Sequence, residues 1–174
     1  MTELHTSTLQ AIGMQSLLLN EISRSILFSR KLAGATGESN VFVKSSLLKQ
    51  GVIVWCQVFG SRSEDLHWSN VVSKQSFVSP FNRQSILDAT GFTEDEWSSY
   101  HETLKLLRDK FFAHFDMDEF STRMPSMDKA LVVVEAYRDW LYDMLLEAMK
   151  TNPIRIGFVK SEEFNIRVES EWKP

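Results

Sequence analysis

Residues 93–114, TEDEWSSYHETLKLLRDKFFAH, decide how the rest of this 174-residue chain is interpreted. Thr93 and Glu96 have the spacing of a capping box, in which each side chain bonds the backbone N–H of the other residue, so a helix is predicted to begin here. Apolar residues then recur at steps of three and four along one predicted helix face: Trp97, Tyr100, Leu104, Leu107 and Phe111. The next step along this face reaches His114, a polar residue where packing alone would favour an apolar one.

The other long periodic stretches are also helical in spacing, and glycine (7) and proline (4) are scarce. The pattern predicts helices over residues 6–32, 41–59 and 81–89, and from residue 126 or 127 to 149. Residues 60–80 are predicted to form a loop with a short helix. We therefore expect an all-α fold, an up-and-down bundle of four to five main helices within a domain spanning residues 1–152.

The C-terminal extension, residues 153–174, differs in character from the rest. Its stretches IRIGFV (154–159) and FNIRVES (164–170) are short, rich in β-branched residues and partly alternating. Such patterns are typical of strands, so a small β-hairpin or an extended arm is expected here.

Composition excludes several classes of protein. A hydrophobic content of 43% and a charged content of 24% are ordinary for a folded domain, and no apolar run is long enough to span a membrane. The first ten residues lack the pattern of a secretory signal, and Cys56 has no partner for an internal disulfide, so we expect a cytoplasmic protein. The net charge of −4 argues against general binding of duplex DNA.

Arg108 and His114 are the strongest candidates for chemistry. Six positions on an α-helix turn the chain by 600°, which leaves the two residues about 120° apart around the axis. An imidazole can act as general base or acid, typically worth ~10²–10⁴-fold in rate, and a guanidinium fork can stabilise charge on phosphate. Such a pair can cleave RNA without a metal. The alternative is structural: a histidine that caps a helix end, and an arginine in a surface ion pair with Asp109 or Glu102.

Further residues near this pair allow competing interpretations. His101, Lys105 and Arg108 share a predicted helix face, so His101 and Lys105, together with Lys110, are candidate RNA-binding residues, although a solvated charged face is the common alternative. The loop after His114 could hold a metal through its acids, but such loops are usually solvated and no metal is expected: Asp116, Asp118 and Glu119. Residues 93–119 carry eight acids and three bases, so positive charge for RNA must come from elsewhere.

Two other features favour packing over function. His67 and Trp68 lie in the long predicted loop, where a tryptophan could stack a base but is more often a residue that pins the loop to the core. Cys56 lies in the most apolar helix stretch and is predicted to be buried packing, not a nucleophile. The chain contains no GxGxxG, HExxH, GxSxG or phosphate-binding P-loop pattern.

The stretch LRDKFFAHFD (107–116) resembles the signature of the HEPN superfamily, which comprises helical domains of prokaryotic toxins, abortive-infection proteins and CRISPR-associated ribonucleases. That signature is an arginine, usually a polar residue next, and a histidine after four to six intervening residues, which Arg108, Asp109 and His114 match. VIVWCQVFGS (52–61) followed by LHW (66–68) is also similar to abortive-infection-type members. The resemblance covers most of residues 5–150. One toxin subgroup carries a modified tyrosine two residues after the histidine, where this chain has Asp116.

The resemblance implies a homodimer with both Arg–His pairs at the interface, catalysis by Arg108 and His114, and an orienting role for Asp109. The expected function is a metal-independent endoribonuclease, without a cofactor, in phage defence or a toxin–antitoxin setting with a cognate antitoxin or partner protein. A second hypothesis is a catalytically inactive HEPN-like module that binds a protein or RNA partner. A third is a purely structural helical subunit. A basic rim, for instance Arg123, Lys129, Arg155 and Lys160, would favour RNA as the partner.

Overall fold

The computed structural model describes residues 6–72, 79–112, 124–150 and 157–171, and within these ranges every regular element is helical. The elements, in chain order, are α1 (Thr6–Lys31), α2 (Glu38–Phe59), α3 (Trp68–Val72), α4 (Arg83–Thr90), α5 (Glu94–Leu106), a π-helical segment (Leu107–Phe112), α6 (Asp128–Met149) and α7 (Ser161–Glu171). The all-α prediction is therefore confirmed for the described residues. The expected four to five main helices are not an accurate count, because seven α-helices are present in this part of the chain.

Local side-chain bonds set several of the helix ends. The predicted capping box opens α5: the Thr93 hydroxyl accepts from the Glu96 backbone N–H at 3.3 Å, and the Glu96 carboxylate accepts from the Thr93 N–H at 2.8 Å. A second capping box, between Asn82 and Ser85, opens α4. Gly91 ends α4 in the left-handed conformation, with φ 68°, which glycine adopts without a side-chain clash. These short-range bonds explain why the α4 and α5 boundaries could be read from sequence.

Helix α1 lies at the centre of the packing and contacts α2, α3, α6 and α7. Its C-terminal end meets the N-terminal end of α6, where Arg30 pairs with Asp128, so α1 and α6 run antiparallel. The core combines aliphatic side chains with a group of aromatic ones that are almost fully buried: Trp55, Phe59, Trp97 and Tyr137. Among the described residues, no helix has the length and apolar character needed to cross a membrane.

The predicted helix boundaries agree with the structure to within three residues for α1, α2, α4 and α6, and so does the predicted start of α5. The helix expected to continue to His114 instead ends as an α-helix at Leu106, where the π-helical segment begins. The long predicted loop over residues 60–80 contains the short helix α3, as expected, although residues 73–78 lie outside the described part.

The expectation of a β-hairpin or extended arm at the C-terminus is wrong for residues 161–171, which form α7. In a strand, Ile166 and Val168 would share a face, but Val168 is buried whereas Ile166 is 62% exposed. Phe164 and Val168 are four residues apart and are both buried, which is the spacing of one helix face. Burial against α1 and α6, together with two acidic residues in the first turn of α7, overrides the weak β-preference of this stretch.

Candidate functional site around Arg108 and the 60–67 loop

The helix that carries the Arg–His motif changes its geometry at the motif. After Leu106 the backbone widens into the π-helical segment, which contains Arg108 and Asp109. In the turn just before it, the carbonyl of Leu104 accepts a bond from the Cys56 thiol at 3.7 Å. π-Helical turns are rare and often occur at functional sites. They also have more residues per turn than an α-helix, so the α-helical turn of 100° per residue does not hold over residues 107–112. His114 itself lies outside the described residues.

Arg108 is held between two carboxylates. Its Nε donates to Asp109 Oδ1 at 2.6 Å, and its Nη1 lies 3.4 Å from Glu64 Oε1, near the limit for a hydrogen bond. The side chain is 21% exposed, so the guanidinium remains accessible at one side. The hydrogen bond that Arg108 donates to the Asp109 carboxylate is the main reason that the pKa of Arg108 is raised. Arg108 is therefore a permanent cation that is hydrogen-bonded to its neighbour in sequence, Asp109.

The loop that supplies Glu64 is anchored at both ends. Gly60 begins it, and a Cβ at this position would lie 2.4 Å from the carbonyl oxygen of Cys56, so no larger residue fits without a backbone shift. At the other end the Gln15 amide donates to the carbonyls of Leu66 and His67, at 3.0 and 3.3 Å. Tyr137 in turn donates to Gln15 Oε1 at 2.7 Å. This buried chain of bonds ties the loop to α1 and α6.

A cleft of about 450 Å³ opens beside the same loop. It brings together aromatic rings and cationic or titratable side chains from α2, the 60–67 loop, α3, α4 and α5: Phe59, Arg62, His67, Trp68, Arg83, Trp97 and His101. Arg83 is already paired with Glu94 and lies 3.3 Å from the Ser98 hydroxyl. Sequence reasoning considered His67 and Trp68 but did not find the cleft, because its walls are assembled from segments up to 42 residues apart.

His67 is buried and neutral in this cleft. Its ring is 3% exposed, and its Nδ1 accepts from the Ser69 backbone N–H at 3.3 Å and lies 2.7 Å from the Ser69 hydroxyl. Burial, with smaller effects from Arg62 and His101, lowers the pKa of His67 to about 4. The adjacent Trp68 packs edge-on against Phe81 and Tyr137, which confirms that this tryptophan pins the loop to the core.

The candidate RNA-binding residues of α5, His101 and Lys105, form hydrogen bonds with other groups of the same protein chain. His101 donates from Nε2 to the carbonyls of Phe59 and Gly60, at 2.8 and 3.1 Å, and packs against the rings of Trp55 and Trp97. Lys105 donates to Glu102 at 3.0 Å. The backbone of Lys110 lies in the π-helical segment, and its side chain is outside the described residues.

The residues suggested for a basic rim, and the loop acids considered for a metal, lie partly outside the described residues. Of the suggested basic rim, Lys129 bonds the carbonyl of Thr90 and Lys160 pairs with Asp143 at 2.9 Å, while Arg123 and Arg155 lie outside the described residues. The loop acids considered for a metal, Asp116, Asp118 and Glu119, are also outside them.

Cys56 is fully buried, and burial raises the pKa of its thiol to about 12. The prediction that it is a packing residue is confirmed, since a thiol with so high a pKa is not a nucleophile at neutral pH.

Comparison with known proteins does not identify a family. No family model matches this chain, and neither the curated proteins nor the solved structures give a significant match.

Proposed function

We propose that this chain is a metal-independent endoribonuclease of HEPN type, in which Arg108 and His114 act at a homodimer interface. The observation that carries the proposal is the state of Arg108. Asp109 accepts from one edge of its planar guanidinium, while among the described residues the other edge has only the long contact to Glu64. A phosphate oxygen that replaced Glu64 would meet a preoriented fork, which is the geometry that makes arginine effective on phosphate.

The proposed reaction requires two contributions from the protein: proton transfer and stabilisation of negative charge. The 2′-oxygen of the RNA attacks the adjacent phosphorus, the bond from phosphorus to the 5′-oxygen breaks, and the products are a 2′,3′-cyclic phosphate and a 5′-hydroxyl. His114 takes the proton from the 2′-hydroxyl or, in the partner copy, gives one to the leaving 5′-oxygen. Arg108 stabilises the negative charge that develops on the non-bridging oxygens. Such an enzyme would act in the cytoplasm, in phage defence or as the toxin of a toxin–antitoxin pair.

Two further observations support this assignment. The cleft beside the 60–67 loop is lined by Arg62, which is exposed, and by the half-buried ring of Trp68, a pair suited to holding a phosphate and stacking its base. Leu106 precedes the motif and is 37% exposed, in a shallow groove shared with Asp109 and Lys105, where a second copy could pack.

A second candidate function is a catalytically inactive module that binds a protein or RNA partner. It is favoured by the two carboxylates on Arg108, since Glu64 and Asp109 together outweigh the single positive charge of the guanidinium. A site with that balance repels the phosphates of RNA unless other groups compensate.

The test is RNA cleavage by the purified protein in excess EDTA, with end-group analysis. We expect cleavage that leaves 2′,3′-cyclic phosphate ends, a loss of ~10²–10⁴-fold in His114→Ala, and a large loss in Arg108→Lys, which keeps the charge but not the fork. Glu64→Gln should retain or increase the rate, because it removes the carboxylate that competes with phosphate.

Arg30→Ala is the matched control. Like Arg108, Arg30 forms an ion pair with an aspartate, but it lies in α1, away from the motif. Folded, inactive wild type on several RNAs, or equal rates in wild type and His114→Ala, would overturn the ribonuclease and leave the binding module.

A further inference from the structure

A second charged group, far along the sequence from the Arg–His motif, is buried without a partner. Arg138 in α6 is 1% exposed, and none of its three guanidinium nitrogens has a hydrogen-bond partner among the described residues. An unpaired charge in a protein interior costs several kcal/mol, so buried arginines are normally paired and hydrogen-bonded. The fold therefore leaves five N–H donors of one side chain for a group that is not part of the described chain.

The carboxylates nearest to Arg138 in sequence are occupied elsewhere. Asp139 accepts from both the backbone N–H and the hydroxyl of Ser161, each at 2.8 Å, and so caps α7. Glu135 accepts from the Asn165 amide at 2.6 Å. No carboxylate in the described ranges forms an ion pair with Arg138. Both acids fasten α7 to α6, and their charges raise the pKa of Arg138 against the effect of burial, but neither accepts a hydrogen bond from its guanidinium.

Aromatic rings provide part of the environment of Arg138. Its guanidinium carbon lies 4.1 Å from the ring centre of Phe164 and 5.1 Å from that of Phe158. Such cation–π contacts partly offset desolvation but do not satisfy N–H donors. Burial lowers the pKa of Arg138 to about 10, so the group still carries its charge at neutral pH.

A cavity of about 180 Å³ lies against Arg138, with two further arginines in its walls. Arg24 comes from α1 and Arg167 from α7. Arg24 is 3.8 Å from Glu171, which also lines the cavity, and Arg167 pairs with Glu163 of its own helix. Both pairs are about half-exposed and therefore weak, so these guanidinium groups can turn to another anion.

The charge on the cavity wall indicates the kind of anion. Arginines from three helices line one small space, and Glu171 is the one acid among the described lining residues, while Glu163 pairs with Arg167 outside the lining. A carboxylate would neutralise one charge and accept from one fork, whereas a phosphate dianion neutralises two and accepts through three oxygens. Asn20 adds a fourth polar group, since its Oδ1 is buried without a partner and a rotated amide would donate to the same anion.

We propose that the cavity formed by Arg24, Arg138 and Arg167 is a binding site for a phosphate group, either inorganic phosphate or a small phosphomonoester. The bound anion supplies the missing partner of Arg138 and joins α1, α6 and α7. The site uses none of the residues assigned to RNA cleavage, so the two proposals stand or fall separately.

The test combines calorimetric binding and thermal unfolding at constant ionic strength. The probes are inorganic phosphate, glycerol 3-phosphate and acetate, the last as a carboxylate. For wild type we expect saturable phosphate binding and a melting temperature that rises with phosphate concentration. Arg138→Lys should bind phosphate at least tenfold more weakly. Arg138→Met should lose the response altogether, while melting as high as or higher than unliganded wild type, because it removes an uncompensated buried charge.

Arg30→Met removes a surface arginine and should leave the phosphate response unchanged. Arg24→Met and Arg167→Met, at the cavity rim, should each weaken phosphate binding and provide the test if Arg138→Met does not fold. A preference for glycerol 3-phosphate over inorganic phosphate would identify a phosphomonoester as the ligand. No saturable phosphate response in wild type, an equal response in the Arg138 variants, or an equal response to acetate would overturn the proposal.

Discussion

Burial changes the chemistry of individual side chains in this protein. Cys56 and His67 are potentially reactive residues that the fold makes inert at neutral pH, one by raising the pKa of a thiol and the other by lowering the pKa of an imidazole. Arg108 and Arg138 both remain charged, but Arg108 donates to a neighbouring carboxylate, whereas no group in the described ranges accepts a hydrogen bond from the guanidinium of Arg138. The residue type alone predicts none of these differences, because each depends on what the side chain is packed against.

His67 should make the protein sensitive to acid. Its pKa is about 4 in the folded protein, against 6.5 for an ordinary histidine such as that of the unfolded chain. Between these two pH values the unfolded chain therefore binds more protons than the folded one. Stability is therefore fully retained above about pH 6.5 and falls as the pH is lowered toward 4, by up to about 3 kcal/mol from this residue. Urea unfolding of wild type and His67→Asn across that range would measure the difference, since asparagine keeps an acceptor near the position of Nδ1. Parallel pH profiles for the two proteins would contradict the assignment.

At the scale of elements, the decisive feature is the anchoring of the 60–67 loop. Tyr137 donates a hydrogen bond to Gln15, and Gln15 donates to the backbone carbonyls of Leu66 and His67. Helices α6 and α1 therefore hold together the loop that presents Glu64 to Arg108. The π-helical segment presents Arg108 from the other side. The geometry of the motif thus depends on helices that lie far from it in sequence.

Tyr137→Phe should loosen this loop. It removes the hydroxyl that donates to Gln15 and leaves a buried acceptor unsatisfied, at an expected cost of about 1–3 kcal/mol in the free energy of unfolding. Urea unfolding measures that cost, and hydrogen exchange of the peptide covering the 60–67 loop should become faster. Tyr142→Phe, on the same helix but half-buried, is the control. Equal loop exchange in the two variants would show that the Tyr137 hydroxyl does not hold the loop.

At the scale of the whole molecule, the C-terminal extension is part of the packed structure. Within the expected extension of residues 153–174, Phe164 and Val168 of α7 are buried in the same core as side chains of the expected domain of residues 1–152. Asp139 of α6 caps the start of α7, which fixes the extension at its beginning.

Removal of residues 157–174 should therefore destabilise the bundle. Loss of the burial of Phe164 and Val168 is worth about 3–6 kcal/mol, of which rehydration of Arg138 returns a part. Because domains are typically stable by only 5–15 kcal/mol, the urea midpoint should fall clearly. The double variant Phe164→Ala, Val168→Ala should move in the same direction without shortening the chain. A truncated protein as stable as the full chain would mean that residues 1–156 fold independently.

The sequence by itself determined the helical class, the approximate ends of α1, α2, α4 and α6, the start of α5, and the burial of Cys56, because periodicity and capping act over a few residues. It also singled out Arg108 with Asp109, which are adjacent in the chain and bonded in the structure. Only the tertiary structure decided that residues 161–171 are helical, that Glu64 reaches Arg108, and that Arg138 is buried against a cavity. These features depend on contacts between segments distant in sequence, and the free energy of burial in such contacts exceeds the local preferences that a sequence pattern records.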